Sequence, residues 1–394
     1  MLHEHVATAL KNHRLYGEFV QVKNQLLQHN CMCWIAGGAV RDFLLGRTPS
    51  DLDLVTDATT AKILQIFPDA IPVGLQFGVV KLSCKSGDIF DLATFRRESD
   101  YVDGRRPSHV DFASAQEDAQ RRDFTINAMF WDDEGQRIVD YTGGVFDLNS
   151  QILKCVGDPK VRFQEDHLRV LRLLRFQIQL GFDIEECTRV AALTRVGDLV
   201  KISGERIWSE FQKMLPYINW ENFLQNMLAV KVFSEVFPLK DDLTFQNNCS
   251  VTVAAPDFSK IAFFNFLAQV AINLPDLKAR LRDRLKITKV DMKVFNSVNF
   301  CMTNSLSNEE WVLEAENNIL VLEILRFFHI YGKSPKQNWL QIEKLFNARP
   351  MSVVNGHDLV GLVPVQKTGE TLKKIRLLQL KQPDLDKQSL LKLI

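Results

Sequence analysis

Gly37-Gly38-Ala39-Val40-Arg41-Asp42, followed by Ser50-Asp51-Leu52-Asp53-Leu54, is the most informative stretch of this chain. A glycine pair ahead of a helix-forming run lets the backbone approach a phosphate closely. A helix opening near Ala39 offers free N–H donors and a positive dipole end to the same anion. In an extended strand alternate residues face one side, so Asp51 and Asp53 converge while Leu52 and Leu54 pack behind them. Two convergent carboxylates suit Mg²⁺, which binds through one or two carboxylates together with substrate phosphates. The glycines alone would serve a plain strand-to-helix turn equally well. The Ser-Asp-x-Asp downstream shifts the reading to metal-assisted chemistry on a nucleoside triphosphate.

Outward from this stretch, residues 1 to about 30 read as an amphipathic helix or two. Short β-rich runs then follow at Met32–Ile35, Asp53–Val55, Val79–Leu82, Ile89–Leu92 and Ile138–Val139, with helical patches at Ala39–Leu45 and Ala58–Phe67. After Leu148 helical periodicity takes over: Gln164–Gln179, Glu205–Leu215, Ile261–Ala271, Leu277–Leu285, Trp311–Phe328 and Gln337–Phe346. The expected fold class is α+β, a head with a small mixed sheet followed by an all-helical remainder.

The 394 residues carry 48 basic and 48 acidic side chains, so the chain is no general polycation, although a local basic face on nucleic acid stays open. Seven scattered cysteines, with no C-x-x-C pair, point to reduced thiols in the cytoplasm. No apolar run is long enough to span a bilayer, so no membrane partner is expected.

Three further constellations carry chemistry. Asp91 sits in the strand-like Ile89-Phe90-Asp91-Leu92, where it either joins Asp51 and Asp53 as a third catalytic carboxylate or bonds a neighbouring turn. In Arg121-Arg122-Asp123-Phe124-Thr125-Ile126-Asn127-Ala128, Arg122 offers a planar fork to phosphate, and Asn127 and Asp123 can bond ribose hydroxyls. The same run also fits a helix N-terminus capped by Asp123. In Glu165-Asp166-x-x-Arg169-x-x-Arg172-x-x-Arg175, helical spacing puts Glu165, Asp166 and Arg169 on one face. An intrahelical ion pair is the plain reading. The sharper one is base selection: aspartate accepts from an exocyclic amino group and arginine donates to the adjacent ring nitrogen, a pattern that takes cytosine and adenine and rejects uracil and guanine.

Together these residues resemble the class II tRNA nucleotidyltransferases (CCA-adding enzymes) and the related bacterial poly(A) polymerases. Gly37-Gly38-x-x-Arg41-Asp42 with Ser50-Asp51-x-Asp53 is similar to the family's metal-aspartate motif, and Arg121–Ala128 to its ribose-selecting motif. Asp140-Tyr141-x-Gly143-Gly144-x-x-Asp147-Leu148 resembles the hinge, Glu165-Asp166-x-x-Arg169 the amino-acid template, and Arg206-Ile207-x-x-Glu210-x-x-Lys213 the last motif. Phe95–Phe112, with Arg96, Asp103, Gly104, Arg105 and Arg106, resembles the flexible loop that helps the switch from C to A addition.

The resemblance implies a polymerase-β-like nucleotidyltransferase head at 1–148, a neck selecting the base at 149–215, a body at 216–285 and an RNA-binding tail at 286–394. It implies Mg²⁺ on Asp51 and Asp53, and nucleotide contacts from Gly37, Gly38, Arg41, Arg122, Asp123, Asn127, Glu165, Asp166, Arg169, Arg172 and Arg175. The implied partners are CTP, ATP and the tRNA 3′ end and acceptor stem, for a monomer or dimer. A poly(A) polymerase is the alternative, and an inactive RNA-binding relative a more distant one. The tail departs from the family's glycine-rich continuation at Gly361-Leu362-Val363-Pro364-Val365-Gln366.

Overall fold

The computed structural model describes residues 2–73, 78–101, 107–219, 223, 225–237, 259–270, 274–330 and 339–393. They form two compact units, Met1–Met214 with Asn226–Val236, and Leu215–Gln225 with Phe237–Ile394.

In the first unit, α1 (Leu2–Lys11) and α2 (Tyr16–Gln28) precede β1 (Trp34–Ala36), α3 (Gly38–Leu44), β2 (Leu54–Thr56), α4 (Thr60–Ile66), β3 (Ile71–Pro72), β4 (Val79–Ser83) and β5 (Ile89–Thr94). Then come β6 (Arg96–Tyr101), β7 (Pro107–Phe112), α5 (Ala115–Gln120), β8 (Met129–Asp132), β9 (Arg137–Asp140) and α6 (Gly144–Asn149). Seven strands build one mixed sheet in the order β3-β4-β5-β2-β1-β8-β9. Only β2 and β5 run parallel, Leu54 opposite Leu92, while their other neighbours are antiparallel. Trp34, Phe95 and Phe130 pack edge-on or tilted with centroids 5.7–6.0 Å apart. Each such pair adds about 1 kcal/mol to the area it buries.

Several elements, the short β3 among them, differ from the sequence expectation here. Met129–Asp132, not anticipated as a strand, is β8; all four residues are buried, so no alternation marks it. The segment resembling a flexible loop is rooted in an antiparallel hairpin, β6 against β7, with Arg96 opposite Phe112.

The helical part of the first unit contains α7 (Pro159–Glu165), α8 (Leu168–Leu180), α9 (Glu186–Arg195) and α10 (Gly204–Met214). The continuous helix expected over Gln164–Gln179 is broken. Asp166 is extended at φ −138°, ψ 106°, and its carboxylate accepts from the Leu168 N–H at 3.1 Å, capping α8. Glu165, Asp166 and Arg169 therefore do not share one helix.

The described residues of the second unit form helices and the segments that connect them, with no strand among them. Ser259–Val270, Lys289–Thr303, Asn308–Asn317, Leu320–Ile330, Trp339–Ala348 and Thr368–Lys381 are its main helices. The expected helix over Trp311–Phe328 is two, parted at Asn318 and Ile319. Aromatic contacts join Phe237 to Phe263, Phe264 to Phe295 and Phe300 to Trp311. No helix among the described residues is long and apolar enough to cross a membrane.

Candidate nucleotidyl-transfer site

Gly37 turns the chain from β1 into α3 at φ 66°, ψ −119°, a conformation that strains any side-chain-bearing residue. A Cβ at Gly37 would also stand 2.9 Å from Arg122 Nη1. The glycine thus lets the turn and Arg122 meet. Arg41, one turn into α3, donates from Nη1 to Asn127 Oδ1 at 2.7 Å and from Nε to Asp42 at 2.9 Å.

Asp51 and Asp53 precede β2, and the expected alternation holds: both are exposed, and Leu52 and Leu54 are buried behind them. Continuing the β2–β5 register by one residue brings Asp53 beside Asp91, whose Oδ1 accepts from Lys81 Nζ at 2.7 Å. Asp53 keeps an exposed edge, yet surrounding protein bulk, then the Asp51 and Asp91 charges, raise its carboxyl above the ordinary range. A divalent cation would relieve that crowding. Among the described residues no group of three or more His, Cys, Asp and Glu side chains is assembled as a metal cage. Two carboxylates open to solvent fit Mg²⁺, which draws its other ligands from phosphates and water.

The ribose-motif residues form a connected network. Asn127 Nδ2 donates to Asp123 Oδ1 at 3.4 Å, and Arg172 on α8 meets Asp123 Oδ2 at 2.6 Å. Asp123 is buried, and burial alone would raise its pKa; Arg172 and the Phe124 N–H overcome that and hold it at about 2. Asp123 caps no α-helix: a short 3₁₀ turn, Thr125–Asn127, follows it, with Phe124 and Ile126 fully buried. Arg122 donates from Nη1 to the Asn127 carbonyl at 3.3 Å and lies over the Phe130 ring, 4.9 Å from its centroid.

Three arginines gather on one aromatic ring that sequence reasoning passed over. The guanidinium carbons of Arg41, Arg172 and Arg175 stand 5.2, 5.5 and 4.2 Å from the centroid of Phe176. Arg175 also pairs with Glu210 of α10 at 2.6 Å. Burial first, then neighbouring Arg172 and Arg41, push its pKa down, against the pull of Glu210. Each of the three is matched by a carboxylate, Arg41 by Asp42, Arg172 by Asp123 and Arg175 by Glu210.

Arg169 is bound by Glu165 Oε2 at 2.6 Å and by the Arg162 and Arg121 carbonyls at 3.0 Å each. Asp166 accepts from Arg206 at 3.2 Å. Asp140 gathers the N–H groups of Thr142, Gly143, Gly144 and Val145 at the start of α6. Of the loop residues, Arg96 stands at the root of β6, and Asp103, Gly104, Arg105 and Arg106 lie outside the described residues.

Residues 33–154 match the model of the poly A polymerase head domain, and residues 181–243 that of the probable RNA and SrmB-binding site of polymerase A. The CCA-adding enzyme of Staphylococcus haemolyticus is 32% identical over 383 residues, covering 92% of each chain. The chain belongs to the CCA-adding enzyme family. A relative in that family from Lactococcus lactis is 42% identical over 238 residues, a match spanning 59% of this chain and 60% of the relative's length. Among solved structures, the Bacillus stearothermophilus CCA-adding enzyme in complex with CTP superposes with a TM-score of 0.76, covering 96% of each chain at 24% identity. That likeness extends the family's fold, a polymerase head followed by helices, over nearly the whole chain.

Proposed function

We propose that this protein adds C, C and A to the 3′ end of tRNA from CTP and ATP, without a nucleic-acid template, releasing pyrophosphate. The observation that carries the reading is a pair of solvent-open aspartates, Asp51 and Asp53, in the same unit as the arginines around Phe176, with Arg122 near enough to act on the Asp53 carboxyl. In this reading residues 1–148 carry the chemistry, 149–215 select the base, and 216–285 and 286–394 hold the RNA through shape and phosphate contacts.

Asp51 and Asp53 would hold Mg²⁺, which supplies Lewis acidity toward the attacking hydroxyl and the departing pyrophosphate. Asp91 completes the acidic face beside Asp53. The RNA 3′-oxygen attacks the α-phosphorus, the bond to the β-phosphate oxygen breaks, and the hydroxyl proton passes to solvent. Gly37, Gly38, Arg41, Arg122, Arg172 and Arg175 hold the triphosphate. Asn127 and Asp123 bond the ribose. Asp166 and Arg169, the latter braced by Glu165, read the amino and ring-nitrogen edge that cytosine and adenine share.

The test is extension of a tRNA transcript lacking its 3′ CCA, with Mg²⁺ and CTP and ATP supplied separately and together. Addition of C, C and then A, lost in Asp51→Ala/Asp53→Ala, supports the reading. Long A tails with CTP ignored would make the protein a poly(A) polymerase instead.

A further inference from the structure

Asp118 lies on α5 in the polar run Gln116-Glu117-Asp118-Ala119-Gln120, whose composition suits a solvated helix, yet its exposure is 0%. Donors from three residues converge on it. Arg121 reaches Oδ1 with Nε at 2.9 Å and Nη2 at 2.6 Å, and Arg122 reaches Oδ2 with Nε and Nη2, both at 3.0 Å. The backbone N–H of Arg96, the first residue of β6, donates to Oδ1 at 3.3 Å. Arg121 Nε also donates to the Arg96 carbonyl at 3.1 Å, so the root of the hairpin is held at both its N–H and its C=O. On the other side, the Arg121 carbonyl accepts from Arg169. Burial alone would lift the Asp118 pKa, but Arg121 and Arg122 outweigh it and keep the group ionised.

We propose that Asp118 is a positioning residue for the nucleotide: it fixes Arg122 against the Asn127 carbonyl and, through Arg121, ties the root of the β6–β7 hairpin to the same carboxylate. Displacement of the hairpin and the grip on the triphosphate are thereby coupled. The inference rests on the nucleotide-binding reading above. Replacing the carboxylate by an amide leaves one acceptor oxygen where two forks now bind, so one guanidinium loses its buried partner.

The experiment compares Asp118→Asn with Asp133→Asn, which breaks the buried Lys23–Asp133 pair (2.7 Å) elsewhere in the same unit and controls for simple destabilisation. Steady-state extension gives KM and kcat for CTP and ATP, and amide hydrogen exchange reports on Arg96. In Asp118→Asn, KM for both nucleotides rises about tenfold with a smaller change in kcat, since a phosphate contact made throughout the reaction acts on binding. Arg96 exchange accelerates as well. Asp133→Asn shows neither change, and Asp118→Glu, which keeps the charge, recovers part of the KM. Unchanged KM and exchange in Asp118→Asn, or equal rises in both variants, would overturn the inference. A wild-type protein that extends no RNA would overturn the proposed function instead, and the exchange result would still judge the tie between Asp118 and the hairpin.

Discussion

Arg206 of α10 reaches across to the Asp166 carboxylate at 3.2 Å, so the acceptor proposed to read the base is aimed by a residue from another helix. Both side chains are partly exposed, about a quarter and a fifth, and the pair's value lies in orientation more than in stability. Arg206→Ala should leave folding nearly unchanged and lower the preference for CTP over UTP about tenfold. Single-nucleotide incorporation with each triphosphate measures it; an unchanged ratio would remove Arg206 from base selection.

Asp53→Asn should reduce turnover on the order of a thousandfold, because charge stabilisation at the reacting phosphate is among the largest catalytic contributions. Without divalent metal the same variant should be at least as stable as the parent, since the parent carboxylate is crowded by protein bulk, Asp51 and Asp91. Thermal melting in EDTA checks the second half. A clear loss of stability there would mean Asp53 supports the fold as well as the chemistry.

The pH dependence of stability should carry the mark of Asp123. Its folded pKa, about 2, lies below the ordinary 3.8, so its stabilising contribution is present above pH 4 and disappears as pH falls toward 2. The linkage amounts to about 2 kcal/mol. Urea unfolding of parent and Asp123→Asn across that interval should show the gap between them closing on acidification. A gap independent of pH would assign the cost of the substitution to packing.

Gly37→Ala should cost about 1–3 kcal/mol from its backbone conformation. It should also raise KM for both nucleotides, because the new methyl meets Arg122 Nη1 at 2.9 Å. Crystallography of the variant would show whether Arg122 shifts. A raised KM with Arg122 in place would locate the effect in the turn itself.

The sequence disclosed the acidic pair because a period of two is local: Asp51 and Asp53 face out and Leu52 and Leu54 face in, whatever the rest of the chain does. It disclosed the helical remainder for the same reason. β8 was hidden because a strand buried on both faces has no alternation. The break before α8 was hidden because apolar spacing continues across Asp166, whose capping bond interrupts the backbone and leaves the pattern intact. The polar run Arg-Arg-Glu-Ser-Asp-Tyr concealed β6, and the acidic and amide neighbours of Asp118 concealed a carboxylate of 0% exposure. Only its spacing from Arg121 and Arg122, three and four residues on, carried a trace of its role.

Arg169 donates one hydrogen bond to Glu165 of α7 and another to the Arg121 main-chain carbonyl just after α5. Any chimaera that exchanges the sheet-bearing segment between relatives while leaving α7 and α8 behind would cut through this shared grip. Grafts joined beyond α10 would preserve it, so specificity and chemistry should be inherited as one piece.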